Sequence, residues 1–109
     1  MQKQIIYTNT SSVPGREIAE ILGIVTGNVV QTKHVGKDIM AALRSVVGGE
    51  ITGYTEMLTE ARQKAISRMV VAAREMEADA VVSLRFTTSS IMSNASEILA
   101  YGTAVRLKS

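Results

Sequence analysis

The sequence predicts a single α+β domain in which an antiparallel β-sheet is packed by one long and one shorter helix. Three observations predict it: β-prone runs stand at both ends of the chain, two middle segments have apolar residues at helical spacing, and the C-terminal third alternates apolar and polar residues. The predicted order of elements is ββααββ. The chain of 109 residues has room for one domain and none for a second.

The N-terminal part of the chain predicts two strands separated by a loop. Residues 4–7 form a short β-prone run, and the only proline, Pro14, stands beside a glycine in the loop that follows. Aliphatic and β-branched residues then favour a strand over Ile18–Thr32. Gly23 and Gly27 interrupt this run, and glycine inside a strand is typical of a bulge or a close backbone approach. We therefore expect one long, bent strand, or two strands in sequence.

Two helices are predicted in the middle of the chain. The shorter one covers residues 35–47, where five aliphatic residues share one helical face before a double glycine. The longer one begins after Gly53 and runs to about Ala78. Its apolar stripe consists of Leu58, Ala65, Met69, Ala72 and Met76. Because the stripe is rich in alanine, it would let this helix approach a sheet closely, with methionine filling the gaps.

Residues 80–86 and 97–107 alternate in the manner of half-buried strands, and the polar segment 87–96 predicts a connector between them. The residues predicted to face inward are Val82, Leu84, Phe86, Leu99, Tyr101, Thr103, Val105 and Leu107. The opposite face of the last strand is small and mildly apolar, with Ile98, Ala100, Gly102 and Ala104. Because a lone subunit would leave that second face in water, the pattern favours packing between subunits.

Composition argues against several classes of function. Twelve basic residues stand against ten acidic ones, the basic residues are scattered, and only four residues are aromatic, so nucleic-acid binding is not expected. The absence of cysteine excludes disulfides, thiolate metal sites and cysteine nucleophiles. No stretch approaches the about 18 apolar residues of a membrane span, and the first residues are too short an apolar run for a signal peptide. We expect a cytoplasmic protein that does not enter a membrane.

No pattern of residues announces a catalytic site. The chain has one histidine, His34, and no Gly-x-Ser-x-Gly elbow, so we expect no enzyme. His34 and Asp38 lie four residues apart at the start of the predicted shorter helix, where both could face one metal ion. The preferred interpretation is a surface histidine near an acid that suits the positive end of the helix dipole. No cofactor is therefore expected.

Six short runs carry a family resemblance that covers the chain from about Gln4 to Leu107. They lie at residues 21–27, 38–39, 46–49, 54, 78–82 and 102–105. In order and spacing, this set resembles the YbjQ-like family of small bacterial proteins. The resemblance implies a dodecin-subunit-like α+β subunit that assembles with itself into a ring, expected to be a pentamer. The family has no assigned activity and sometimes carries a heavy-metal-binding label.

The chain departs from the pattern of that family in three places. Glu50 follows the double glycine where the family usually has arginine, Thr55 stands where it usually has glutamate, and Ser83 where it often has glycine. The resemblance therefore does not imply a charged site or an intersubunit ion pair that would use the arginine or the glutamate of the family. The absence of cysteine and the single His34 count against the metal label for this member.

The residues and the resemblance together predict a non-enzymatic homo-oligomer that binds a small ligand or ion. Val70 and Val71 lie off the apolar stripe of the longer helix, either as isolated exposed hydrophobic residues or as a subunit contact. The first alternative is a protein that binds a divalent or heavy metal at a site including His34 and Asp38. The second is a small hydrolase whose site lies between subunits.

Overall fold

The computed structural model describes residues 3–32, 52–92 and 95–109 of the chain. Four strands and one helix lie in these ranges: β1 (Ile6–Tyr7), β2 (Ile18–Thr32), α1 (Thr52–Glu75), β3 (Ala80–Met92) and β4 (Ala95–Leu107). The α+β class is confirmed, and β2 has the predicted bounds. The three long strands and α1 follow a β-α-β-β order, in place of the predicted ββααββ. The predicted shorter helix at residues 35–47 lies outside the described residues, and the likeness to the dodecin subunit stays a prediction.

The four strands form one sheet in the order β1-β3-β4-β2. β4 is antiparallel to both of its neighbours, whereas β1 is parallel to β3, with Ile6 beside Ala80 and Tyr7 beside Val81. The prediction of a wholly antiparallel sheet was therefore wrong for β1. The chain passes through β2 and α1 before it enters β3, and a long connection of this kind is what parallel neighbours require.

β3 and β4 continue through the segment that was predicted to be a connector. Thr87 lies opposite Leu99 and Ser90 lies opposite Ser96, so the ladder reaches almost to the end of the hairpin. The sequence was misread here because serine and threonine are polar. Threonine is nevertheless a good strand former, and a backbone ladder does not require apolar side chains.

α1 ends three residues before the predicted position, in a Schellman motif. The Glu77 amide donates to the Arg74 carbonyl at 3.0 Å, and the Ala78 amide donates to the Ala73 carbonyl at 3.1 Å. Glu77 has a φ of 60°, the left-handed conformation that this motif requires at the residue after the cap. The turn directs the chain into β3 through two buried alanines, Ala73 and Ala78.

The main core lies between α1 and one face of the sheet. α1 contributes a row of fully buried residues, namely Ala61, Ala65, Met69 and Ala73. The sheet contributes Val25, Val29, Val81, Leu84, Ile98, Ala100 and Ala104. The predicted stripe is confirmed at Ala65 and Met69, whereas Leu58 and Met76, near the two ends of α1, are exposed. Alanine on both layers lets the backbones approach closely.

The two faces of β4 are the reverse of those predicted. Ala100 lies opposite Gly27 and Ile98 lies opposite Val29, on the side that α1 covers. Leu99, Tyr101 and Thr103 therefore point to the other side of the sheet, since neighbouring residues of a strand face opposite ways. The prediction assumed that the larger side chains would face α1. The close approach of α1 requires the smaller set there.

A second, smaller core lies on the other side of the sheet at the end where the chain enters β2. Its members are Val13, Ala80, Val82, Val105 and Leu107, with Ile18 packed against them. The loop before β2 covers this cluster through Val13. Val82, predicted to face α1, belongs here, because a bulge at Ser83, with a φ of 56°, changes the alternation of β3 between Val82 and Leu84. Phe86 regains the α1 side but is exposed there, since α1 lies mainly over β2 and β4.

Candidate subunit interface on the open sheet face

Beyond the second core, no element of the described residues covers the sheet face opposite α1, here called the open face, and its residues align in rows across the strands. Successive rows pair Ile24 with Thr103, Thr26 with Tyr101 and Arg85, and Asn28 with Leu99 and Thr87. Residues in one row point to the same side of the sheet and lie close enough to make one continuous surface. Paired residues of neighbouring strands point to the same side of the sheet. The pairing of β2, β3 and β4 therefore determines which residues of all three strands share this surface.

Apolar side chains stand uncovered at one corner of the open face. Ile21 is 70% exposed, Ile24 is 73% exposed and Tyr101 is 37% exposed. Ile24 lies diagonally across from Tyr101, within reach of an aromatic ring, and the bulge at Gly23 brings Ile21 and Ile24 to the same side. We name these three residues the open-face patch. Val30, also exposed, lies farther along the same strand.

The polar residues beside the open-face patch are engaged within the subunit. Nη1 of Arg85 donates to the Asn9 carbonyl at 2.8 Å and to the Leu84 carbonyl at 2.9 Å. Nδ2 of Asn28 donates to Oε2 of Glu97 at 3.2 Å. These bonds hold the flanking polar groups in place around the patch. The patch therefore supplies the exposed apolar area of this surface. A partner that covered the patch would remove that apolar area from water.

Charged residues cluster at the end of the sheet where the chain enters β2, next to Ile21, and link the segments that meet there. Oδ2 of Asp79 accepts the Leu107 amide at 2.8 Å, and the same carboxylate pairs with Lys3. Arg106 pairs with Glu20 at 3.3 Å and with Glu77 at 3.4 Å. Each acid of this cluster has a cationic partner, so the arrangement is that of a structural tie between β1, β2, β4 and the turn after α1.

A shallow depression of about 380 Å³ lies at the same end of the molecule, lined by Gly15, Arg16, Glu17, Lys108 and Ser109. Nζ of Lys108 pairs with Oε2 of Glu17 at 2.8 Å, and Nη2 of Arg16 donates to the Lys108 carbonyl at 3.3 Å. Its charges are largely compensated within the subunit. The depression therefore presents one ion pair and the Arg16 guanidinium, which donates to a backbone carbonyl.

The predicted site residues have different outcomes. His34 and Asp38 lie outside the described residues, and within residues 3–32, 52–92 and 95–109 no group of three or more histidine, aspartate or glutamate side chains could hold a metal ion. The small residues that were predicted to form a free face, Ile98, Ala100, Gly102 and Ala104, are buried on the α1 side. Val70 packs against the core, whereas Val71 is 50% exposed.

Sequence reasoning missed the open-face patch because it left the two faces of β2 unassigned. The signal that could have found it is the pair of glycines in β2. Gly27 marks the α1 side, which places Thr26 and Ile24 on the other side of the strand. In the described part of the chain, no helix is both long and apolar enough to span a membrane.

Comparison with known proteins gives consistent matches over nearly the whole chain. The YbjQ family model, described as "putative heavy-metal-binding", matches residues 5–108. A UPF0145 protein of Psychromonas ingrahamii is 66% identical over 104 residues, covering 95% of this chain and 99% of the relative. A UPF0145 protein of Archaeoglobus fulgidus is 61% identical over 108 residues, covering 99% of this chain and 100% of the relative.

A solved structure is similar in fold. It is a crystal structure of a Pediococcus pentosaceus protein with unknown function from the DUF74 family, with a TM-score of 0.66 and 13% sequence identity. The match covers 95% of this chain and 98% of that one. At this identity the likeness concerns the fold alone.

Proposed function

The chain belongs to the YbjQ family, and we propose that it is a non-enzymatic, cytoplasmic homo-oligomer that binds a small ligand or ion. The open-face patch is the observation that carries the proposal. Isolated exposed hydrophobic residues are ordinary, but Ile21, Ile24 and Tyr101 lie near one another on one face of the sheet. An exposed apolar surface flanked by fixed polar groups is typical of a protein contact.

A ring is the assembly that we propose, and a pentamer is the expected size. A cyclic assembly with more than two subunits needs two different surfaces that meet head to tail. The open-face patch is one such surface. Val71, half exposed on α1, lies on the other layer of the subunit and is a second apolar position that a neighbour could cover. Two apolar positions on opposite layers favour a ring over a two-fold dimer.

Small-ligand or ion binding is proposed at the boundaries between subunits. Assembly would bring the polar rim of the open face, which includes Arg85 and Thr87, next to residues of a neighbouring copy. Sites at such boundaries combine apolar walls with a few polar groups, as small-molecule sites do.

Ile24→Glu is expected to convert the oligomer into a folded monomer. The substitution places a carboxylate in the centre of the proposed contact, where its burial without a partner costs several kcal/mol. The matched control is Gln63→Glu, which adds the same charge on the exposed side of α1. Sedimentation at micromolar concentration measures the mass of each variant. A wild-type mass near 11.7 kDa, or an Ile24→Glu variant that assembles like the control, would contradict the proposal.

Metal binding is the second candidate function, favoured by the description of the matching family. The proposed ligands are His34 and Asp38, with further ligands supplied by another part of the subunit or by a neighbouring copy. Elemental analysis of protein purified without a histidine tag tests it. About one equivalent of metal per subunit in the wild type, reduced in His34→Ala, is the supporting result, and protein free of metal in both would end this candidate.

A further inference from the structure

Among the described residues, each side of the sheet has an edge with a stretch that no other strand pairs with. β2 is the outermost strand on one side, and no strand of the described residues pairs with its outer edge. On the other side, β1 and the residues after it cover only the first part of β3: Thr8 bonds to Val81 and Leu84, and Thr10 bonds to Ser83. Beyond Leu84, the outer edge of β3 has no strand beside it among the described residues.

Two hydrogen bonds identify which backbone groups face outward at these edges. Nη1 of Arg68 reaches over from α1 and donates to the Asn28 carbonyl at 2.6 Å, so Asn28 presents its amide and carbonyl to the outside of β2. Positions 24, 26 and 30 have the same orientation, because outward-facing groups alternate along a strand. The Leu84 amide bonds outward to Thr8 at 3.0 Å, so residues 86, 88 and 90 present theirs on β3.

Neither edge segment carries the charged residues or prolines that protect many natural edge strands. Residues 21–32 and 86–92 include no charged side chain and no proline. Long uncharged β-prone edges promote indiscriminate pairing unless they are covered in the native state. In β2, only the Arg68 bond to Asn28 and the bulges below Ile24 interrupt the edge. Both edges are therefore suited to receive another strand.

The two free edges match each other in direction, length and position along the sheet. β2 and β3 are both antiparallel to β4 and so run the same way. Thr26 and Arg85 flank Tyr101, and Val30 and Ser89 flank Glu97, which places the free parts of the two strands at the same level. Neighbouring copies could therefore continue one sheet without sliding along the strands. A head-to-tail contact without such sliding can close into a ring when the rotation between copies divides the circle evenly.

We propose that the outer edge of β2, over residues 26–32, pairs in parallel with the outer edge of β3, over residues 86–92, of the next copy of this chain. This inference rests on the proposed homo-oligomer and specifies its contact. In the neighbouring copy, β1 already occupies the first part of the β3 edge. The bulges before Ile24 bend the corresponding first part of β2 away from that occupied part. Ile21 and Ile24 of the open-face patch lie on the same strand, so this contact would bring the next copy beside them.

Proline substitution at outward positions tests the pairing without breaking the internal ladder. Thr26→Pro removes an outward amide of β2, and Thr88→Pro removes one of β3, while the bonds to β4 remain. Each variant is expected to stay folded by circular dichroism and to raise the concentration at which the oligomer dissociates at least tenfold. Thr26→Ala and Thr88→Ala keep the amides and are expected to assemble like the wild type. Val30→Pro replaces Thr26→Pro if the latter unfolds.

Mixing the two proline variants tests whether the edges are partners of each other. Each variant keeps one intact edge, so an equimolar mixture is expected to form dimers that cannot grow, whereas each variant alone stays monomeric. Normal assembly of Thr88→Pro beside a monomeric Thr26→Pro would overturn the pairing in favour of a β2–β2 contact. Normal assembly of both would overturn the edge contact and leave the proposed oligomer standing.

Hydrogen exchange distinguishes a neighbouring copy from another segment of the same chain as the group that covers the β2 edge. The amides of Asn28 and Val30, which lie level with Thr87 and Ser89, are expected to be protected in the wild-type oligomer and to exchange rapidly in the Thr88→Pro monomer. Protection that persists in the monomer would show that another segment of the same chain covers the edge, and would overturn the proposal. A wild type that is monomeric at all concentrations would refute the proposed oligomer itself.

Discussion

Met69→Asp is expected to abolish folding of the subunit. Met69 is fully buried at the centre of the α1 stripe, within the cluster that includes Val25 and Ile98. The substitution removes the apolar burial of a methionine, about 1.5–3 kcal/mol, and leaves a carboxylate without a partner in the core, which adds several kcal/mol. Small domains have about 5–15 kcal/mol of total stability, so the sum leaves little or no folded population. Circular dichroism and thermal melting measure it.

The matched control for this variant is Ser67→Asp. Ser67 is exposed on the same helix, two residues away. Its substitution therefore introduces the same aspartate into the helix without burying it. Its stability is expected to change by no more than about 0.5–1 kcal/mol. A cooperative melt of Met69→Asp near that of the control would show that Met69 does not face the sheet, and would refute the assignment of the α1 stripe.

The spacing of apolar residues and the residue composition were enough to predict those parts of this fold that depend on residues close together in the sequence. The bounds of β2 followed from its run of β-prone residues, and the buried side of α1 followed from helical spacing around Ala65 and Met69. The end of α1 was misplaced because the Schellman turn has a glutamate, Glu77, where a glycine would have marked it. The extension of β3 was missed because backbone pairing does not depend on polar or apolar character.

The faces of the sheet could not be predicted from alternation alone. An alternating strand has two candidate inner faces, and the choice in β4 depends on its pairing with β2, a contact distant in sequence. The bulge at Ser83 then changed the alternation within β3 itself. Self-association stays a prediction, and it now rests on different residues. The small residues around Ala100 serve the contact with α1, and the exposed ones are Ile21, Ile24 and Tyr101.

Gly27→Ala is expected to destabilise the subunit by about 3 kcal/mol, the upper part of the range for overpacking a filled core. A Cβ atom at Gly27 would overlap the Ala65 carbonyl oxygen and the Met69 amide nitrogen, and would also lie 3.0 Å from Cβ of Arg68. The first two are backbone atoms of α1, which a rotamer change cannot move. α1 would have to rise from the sheet and lose contact along the Met69 row. Urea denaturation measures the change in unfolding free energy.

The sign of the Gly27→Ala effect makes it a direct test of how closely α1 approaches β2. Away from a close contact, replacing a strand glycine by alanine is stabilising by about 0.5–1 kcal/mol, because glycine has more conformational entropy to lose. Thr26→Ala, on the open side of the same strand, is the control and is expected to change stability little. A neutral or stabilising Gly27→Ala would refute the close approach. A lifted α1 would also draw Arg68 away from the Asn28 carbonyl, so the variant would change the β2 edge together with the core.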